Sequence, residues 1–112
     1  MKDRAMKAAK QYFLRMHDDA DYLGEQEGFL VFNTDEGVVF INTTWSDEEF
    51  KASNTEILRH DFEMAMELWF TDHNEMVNIP VRCDEIALHI IGEEHALLRH
   101  HVNVVGECCE NI

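Results

Sequence analysis

Hydrophobic residues recur at helical spacing in two stretches of the chain. The first repeat predicts a helix from about Asp3 to His17, with Asp3 as the capping residue. The second predicts a longer helix that ends near Asp72, and the second of two capping-box sequences, SDEE at 46–49 and SNTE at 53–56, is expected to open it. The side chains expected to face the core are Met6, Ala9, Phe13 and Met16 in the first helix and Leu58, Phe62, Ala65, Met66 and Trp69 in the second.

Two apolar stretches rich in aromatic and β-branched residues, Gly28–Thr34 and Val38–Thr44, predict a hairpin. The residues between them, Asp35–Gly37, form a tight turn in which the glycine supplies a positive φ. The segment 18–28 is acidic and is predicted as a connector, with only a short extended piece at Tyr22–Leu23.

A second pair of strands follows the second helix. Cys83–Ile91 alternates between apolar and polar positions, and Ala96–Val105 returns after a turn. Pro80 lies in an extended segment before them. Because proline has no N–H to donate, this residue cannot hold a central position in the sheet. The resulting order, α-β-β-α-β-β, predicts an α+β fold in which a mixed sheet is flanked by helices. Because this length suits one core, residues 1–112 are expected to form a single domain.

The chain is strongly acidic, with 9 Lys and Arg against 23 Asp and Glu and a net charge of −14. Residues 1–17 carry five basic residues and one acidic residue, a net +4, so the remaining 95 residues carry −18. Affinity for nucleic acid depends on clustered Lys and Arg, which release counterions from phosphates. The charge therefore argues against nucleic acid as a ligand and favours a basic partner or simple solubility.

The location is expected to be cytoplasmic. No apolar run approaches the roughly 18 residues that span a bilayer. The first residues, MKDRAMKAAKQYF, are charged and lack the apolar stretch of a signal peptide.

Cysteine and histidine do not show the spacing of a metal or redox site. The three cysteines, without a CxxC pair, are Cys83, Cys108 and Cys109, and the last two are expected to lie in a mobile tail. Four histidines of the final strand pair are His89, His95, His100 and His101. Because alternate residues of a strand face opposite sides, these side chains are not expected to converge on one ion.

The motif Arg82-Cys83-Asp84 and its surroundings are similar to a known family. TEILRHDFEMAMELWFTDH at 55–73 and VNIPVRCDEIALHIIGEEHALLRHHVNVV at 77–105 resemble the second helix and closing strands of the YraN family of predicted endonucleases. That family carries Arg-Phe-Asp at the motif, and Asn103 matches a familiar residue near its end. The resemblance spans nearly the whole chain, except 17–28, and implies a bacterial protein with a restriction-endonuclease-like fold.

The family's catalytic hairpin has the form G-E-x-D-[IL]-[IV] followed by V-F-V-E-V-K. Its Asp and Glu give Mg²⁺ hard oxygen ligands, and its Lys, two residues further, points to the same side to orient water and stabilise charge on the phosphate. On the matching stretch, EGFLVFNTDEGVVFINTTW at 27–45, Phe29, Asn42 and Thr44 stand at these three positions. Leu58 stands where the family has a Lys near the start of the helix. The resemblance therefore implies an active site without its ligands, and no metal or cofactor is expected.

Three functions remain open. The preferred hypothesis is a catalytically inactive nuclease-fold protein that binds a protein partner or serves structurally. The first alternative is an endonuclease acting on DNA with Mg²⁺ or Mn²⁺, whose ligands are displaced to Glu25, Glu27, Asp35 or Asp84. The second is an acidic decoy that imitates nucleic-acid charge and occupies a basic protein. An exposed sheet edge at the final strand pair would also allow a homodimer.

Overall fold

A computed structural model describes residues 2–46, 55–76, 78–93 and 95–105, and the backbone of 109–111. These residues form two helices and six strands: α1 Lys2–Met16, β1 Asp21–Gln26, β2 Phe29–Thr34, β3 Gly37–Ser46, α2 Thr55–Asp72, β4 Ile79–Ile90, β5 Ala96–His101 and β6 Cys109–Asn111. The predicted α+β class and the mixed sheet are confirmed. Three residues of SDEE and the first two of SNTE fall on 47–54, outside the described residues, and α2 begins at Thr55.

The sheet has the strand order β1-β2-β3-β4-β5, and β6 pairs with the start of β4. Strands β1 to β3 form an antiparallel meander. Strand β4 then lies parallel to β3, because α2 connects them as a crossover. Strands β5 and β6 both run antiparallel to β4.

Strand β1 corrects the predicted order, which contained no strand before the hairpin. Residues 21–26 pair with β2 through a two-residue turn, Glu27–Gly28, in which both residues have positive φ, 50° and 84°. Exposed and half-buried positions alternate along this edge strand. An edge strand with little core contact does not need a pattern of apolar residues. The acidic residues of 21–26 therefore gave the appearance of a connector.

The C-terminal part also differs from the prediction. Strand β5 ends at His101, and the chain turns at 102–105, where the Val104 N–H donates to the Cys83 carbonyl oxygen at 2.8 Å. Residues 109–111, expected in a mobile tail, have the backbone of a strand that pairs with 79–81. Strand β4 begins at Ile79 and not at the predicted Cys83, so Pro80 lies within it and pairs with β6. The ladder with β3 begins only at Val81, so Pro80 does not hold a central ladder position.

Successive residues of the central strands face opposite sides of the sheet, and each helix covers one apolar face. The core beneath α1 contains Met6, Ala9, Phe13, Leu30, Phe32, Val39, Ile41 and Ile86. The core beneath α2 contains Phe29, Val31, Val38, Phe40, Leu58, Phe62, Ala65, Trp69, Phe70, Val81, Cys83 and Val105. The predicted helix faces are confirmed except at Met16, which is 60% exposed.

The β2–β3 hairpin is confirmed, and its turn brings β3 close to β4. Gly37 has φ 126°, and a Cβ added there would collide with the backbone carbonyl of Pro80. The Thr34 hydroxyl donates to the Gly37 carbonyl oxygen at 2.9 Å and accepts from the Glu36 N–H at 3.2 Å. Glycine is therefore required for both the backbone angle and the contact between the strands.

Neither helix of the described ranges combines the length and the apolar character that a bilayer crossing requires.

Candidate functional site

The three positions matched to a nuclease site lie together on the sheet. Leu30 pairs with Ile41, and Phe29 and Asn42 each lie one residue beyond this pair, on the face covered by α2. Thr44 follows on the same face, because side chains of a strand alternate with period two. Thr44 and Asn42 are both half-buried.

Phe29 belongs to the core and not to a hydrated site. Its side chain is 3% exposed, and its ring centroid lies 6.2 Å from that of Phe40 and 6.4 Å from that of Phe62, both in edge-on contact. Burial of such a ring stabilises the fold by about 2 kcal/mol. The position that carries a ligand in the resembled family therefore contributes to packing in this chain.

Asn42 contacts a carboxylate that the sequence analysis missed. The parallel register places it beside Glu85, and its Nδ2 lies 3.4 Å from the Glu85 Oε2, which accepts a long hydrogen bond. The Glu85 side chain is only 5% exposed. No sequence signal could have identified this pair, since the contact depends on the register between strands whose residues are 43 apart in the chain.

The chemistry available at this place is limited. One carboxylate and one neutral amide lie side by side, and the amide orientation follows from the hydrogen bond between them. Thr44 brings no positive charge to a phosphate. Within the ranges that the structure describes, no three His, Cys, Asp or Glu side chains are placed to hold a metal ion.

The displaced-ligand candidates on the first three strands lie at separate places. Glu25 is exposed on the edge strand β1. Glu27 is exposed in the β1–β2 turn, where its carboxylate accepts from the Gln26 side-chain amide at 3.3 Å. Asp35 is exposed in the turn at the other end of β2, and its N–H donates to the Asp19 carboxylate at 2.9 Å. That hydrogen bond lowers the pKa of Asp19.

Asp84 lies on the opposite face of the sheet from Asn42 and is completely buried. Its two oxygens accept from Arg82 Nε at 3.0 Å, Arg82 Nη2 at 3.3 Å, His100 Nε2 at 2.8 Å and the Asn103 N–H at 2.9 Å. Burial alone would raise the pKa of Asp84, but these donors and the Arg82 charge outweigh it and hold the pKa below 3.8. With its oxygens occupied in this way, Asp84 is poorly suited to bind a metal.

His100 extends these contacts to the first helix. Its Nδ1 lies 3.2 Å from the Tyr12 hydroxyl, which donates to it when His100 is neutral and Nε2 carries the proton. We call Tyr12, Arg82, Asp84 and His100 the Asp84 cluster. It joins α1, β4 and β5, which gives the Arg82-Cys83-Asp84 motif a structural role.

The remaining histidine and cysteine predictions concern the final strands. His100 lies on the α1 face, whereas His101 and His89 belong to the other face, so the expected divergence along the strand is observed. Cys83 is a buried thiol in the core beneath α2 and contributes to packing. The side chains of Cys108 and Cys109 lie outside the described residues.

The fold defines an α+β protein with a mixed sheet between two helices. Comparison of the chain with protein-family models, with curated proteins and with solved structures yields no match. The likeness to YraN thus rests on the segments and the motif quoted from the sequence.

Proposed function

We propose that this chain is a catalytically inactive protein of restriction-endonuclease-like architecture, similar to YraN, that acts by binding a protein partner. The observation that carries the proposal is Phe29, a core aromatic residue at the position where the resembled nucleases need an Asp ligand. Asn42 and Thr44 support it, because neither supplies the charge that metal binding and phosphate stabilisation require.

The topology is compatible with this architecture. An antiparallel meander leads into β3, α2 crosses over, and β4 lies parallel to β3. A mixed sheet with helices on both sides is the arrangement that the resemblance implies. The net charge of −14 further favours a protein partner over DNA.

Calorimetric titration with Mn²⁺ and cleavage assays test the proposal. We expect no Mn²⁺ site tighter than about 100 µM. We also expect no metal-dependent cleavage of duplex, branched or single-stranded DNA. A micromolar Mn²⁺ site that disappears in Glu85→Gln, or cleavage at these substrates, contradicts catalytic inactivity.

The contact between Asn42 and Glu85 favours a second candidate, a metal-dependent nuclease with displaced ligands. Turning the Asn42 amide over would place its oxygen beside the Glu85 carboxylate and give two hard ligands. Cleavage that is lost in Glu85→Gln or Glu27→Ala would support this candidate, provided that it persists in Glu75→Gln. Glu75 is an exposed acid in the turn after α2 and serves as the matched control.

A further inference from the structure

Helix α2 has a second apolar stripe, which lies on a flank of the helix beside its buried face. Its members are Ile57, Met64 and Leu68, with exposed fractions of 61%, 48% and 44%. They lie about 100° around the helix from the buried stripe that contains Phe62 and Trp69. Packing of α2 against the sheet therefore does not explain why these three side chains are apolar.

The stripe has the spacing of a helix-packing seam. With Asp61 included, positions 57, 61, 64 and 68 alternate between steps of four and three residues, as the contact positions of coiled coils do. In coiled coils, a single polar residue such as Asn or Lys at one of these positions specifies the register of the partner helix. We call Ile57, Asp61, Met64 and Leu68 the α2 seam.

Carboxylates surround the α2 seam. The five acids of α2, all exposed, are Glu56, Asp61, Glu63, Glu67 and Asp72. Arg59 is half-buried and donates to the Val105 carbonyl oxygen at 3.0 Å. In the described part of the chain, four of these acids form no ion pair: Asp61, Glu63, Glu67 and Asp72.

Three of these acids, Glu63, Glu67 and Asp72, oppose the stability of the helix that carries them. Glu63 and Glu67 are four residues apart on one face and repel each other. Glu67 and Asp72 lie near the C-terminus of α2, where the helix dipole disfavours negative charge and the last turn contains no basic residue. A cationic partner would relieve both effects.

We propose that the α2 seam docks a basic amphipathic helix of another protein. Leu, Ile or Met side chains of that helix would pack on Ile57, Met64 and Leu68, and its Lys or Arg side chains would face the surrounding carboxylates. The inference rests on the proposed binding role and identifies its surface and the class of partner. The long-range field of a chain with net charge −14 would also attract such a helix.

A second copy of the chain is a poorer occupant. Two α2 seams in contact would place carboxylates against carboxylates. The exposed side of α1 is basic, with Arg4, Lys7, Gln11 and Arg15 in line, but it offers no apolar seam. The net charge of −14 also makes two copies repel each other.

The probe is a synthetic 18-residue peptide with Leu at alternating steps of three and four and Lys elsewhere, titrated by calorimetry in 150 mM NaCl. We expect the Met64→Ser/Leu68→Ser variant to bind it about tenfold more weakly than the unmodified chain. The control is Met16→Ser/Leu97→Ser, which removes two exposed apolar side chains from other elements. Circular dichroism checks that each variant is folded.

A second pair of variants tests whether the position of the charges matters, since each variant removes two negative charges. Glu63→Gln/Glu67→Gln should weaken binding at least about threefold, and Asp21→Asn/Glu25→Gln on β1 should leave it nearly unchanged. Equal weakening within the apolar pair would show that the peptide has no preference for the α2 seam. Equal weakening within the charge pair would show attraction to net charge alone. Either result overturns the proposal. Sedimentation that shows a dimer lost in Met64→Ser/Leu68→Ser would overturn it in favour of a second copy.

The two proposals fail in distinguishable ways. If the peptide does not bind specifically and there is also no Mn²⁺ site and no cleavage, docking at the α2 seam is refuted. The proposal of an inactive binding protein then still stands. Cleavage of DNA would contradict the inactive role whatever the peptide does.

Discussion

Asp84 remains ionised inside the sheet because a cation, an imidazole and a backbone N–H all donate to its carboxylate. Burial by itself favours the neutral acid, so the lowered pKa of Asp84 reflects the hydrogen bonds and the Arg82 charge. The same contacts hold the turn after β5 against β4, since the Asn103 N–H donates to Oδ1 at 2.9 Å. The Arg82-Cys83-Asp84 motif therefore stabilises the fold.

Asp84→Asn should lower the free energy of unfolding by about 3 kcal/mol, because Arg82 loses its buried counter-charge and the two donors to the replaced oxygen lose their acceptor. Urea denaturation at pH 7 measures this loss. Asp61→Asn, at an exposed position of α2, should change the value by less than about 0.5 kcal/mol. A loss at Asp84 no larger than at Asp61 would refute the structural role.

The stability that Asp84 contributes should depend on pH. Its pKa is lower in the folded chain than the ordinary 3.8 of the unfolded chain, so folding favours the ionised form. The contribution is full above about pH 5 and is lost as pH falls through 3.8 towards the folded pKa. The difference in unfolding free energy between the unmodified chain and Asp84→Asn should therefore shrink between pH 6 and pH 3. A constant difference would contradict the lowered pKa.

At the scale of the elements, β3 approaches β4 at a point where only a glycine fits. Gly37 opens β3, and the Pro80 carbonyl of β4 occupies the space that a Cβ would need. From there the two strands run in parallel, and this register brings Asn42 beside Glu85. The close contact at Gly37 thus contributes to the geometry of the candidate site.

Gly37→Ala should lower the free energy of unfolding by about 3 kcal/mol, since alanine is strained at φ 126° and its Cβ collides with backbone. Thermal melts followed by circular dichroism measure the effect. Gly92→Ala is the matched control, because an added Cβ there meets nothing within 4 Å and the backbone angle is not positive. Similar melting of the two variants would show that the Pro80 contact is not restrictive.

At the scale of the whole molecule, the charge is divided unevenly. The basic residues concentrate in α1, and the rest of the chain is strongly acidic. Like charges across a compact domain repel one another, and salt screens this repulsion. The fold therefore carries an electrostatic penalty that solution conditions can change.

Raising NaCl from 50 to 500 mM should increase the melting temperature by about 3 °C, because screening weakens the repulsion. The Glu63→Gln/Glu67→Gln variant carries two fewer negative charges, so it should melt higher at 50 mM NaCl and gain less from added salt. Differential scanning calorimetry measures both. A melting temperature that falls with salt would mean that attractive ion pairs dominate.

Features that arise from local periodicity could be predicted from the order of residues alone. Helical spacing identified the buried faces of α1 and α2, including Phe13 and Trp69, because one turn of helix brings such residues together. Turn chemistry located the β2–β3 hairpin and its glycine. Alternation along the strands separated His100 from His101.

Contacts between residues far apart in the chain became visible only in the folded protein. The edge strand β1 has no apolar signature, since its stability comes from pairing with β2. Glu85 reaches Asn42, and His100 reaches Asp84, through strand registers that no short stretch of sequence encodes. Each of these contacts depends on the relative placement of whole elements, which the two packed cores set together.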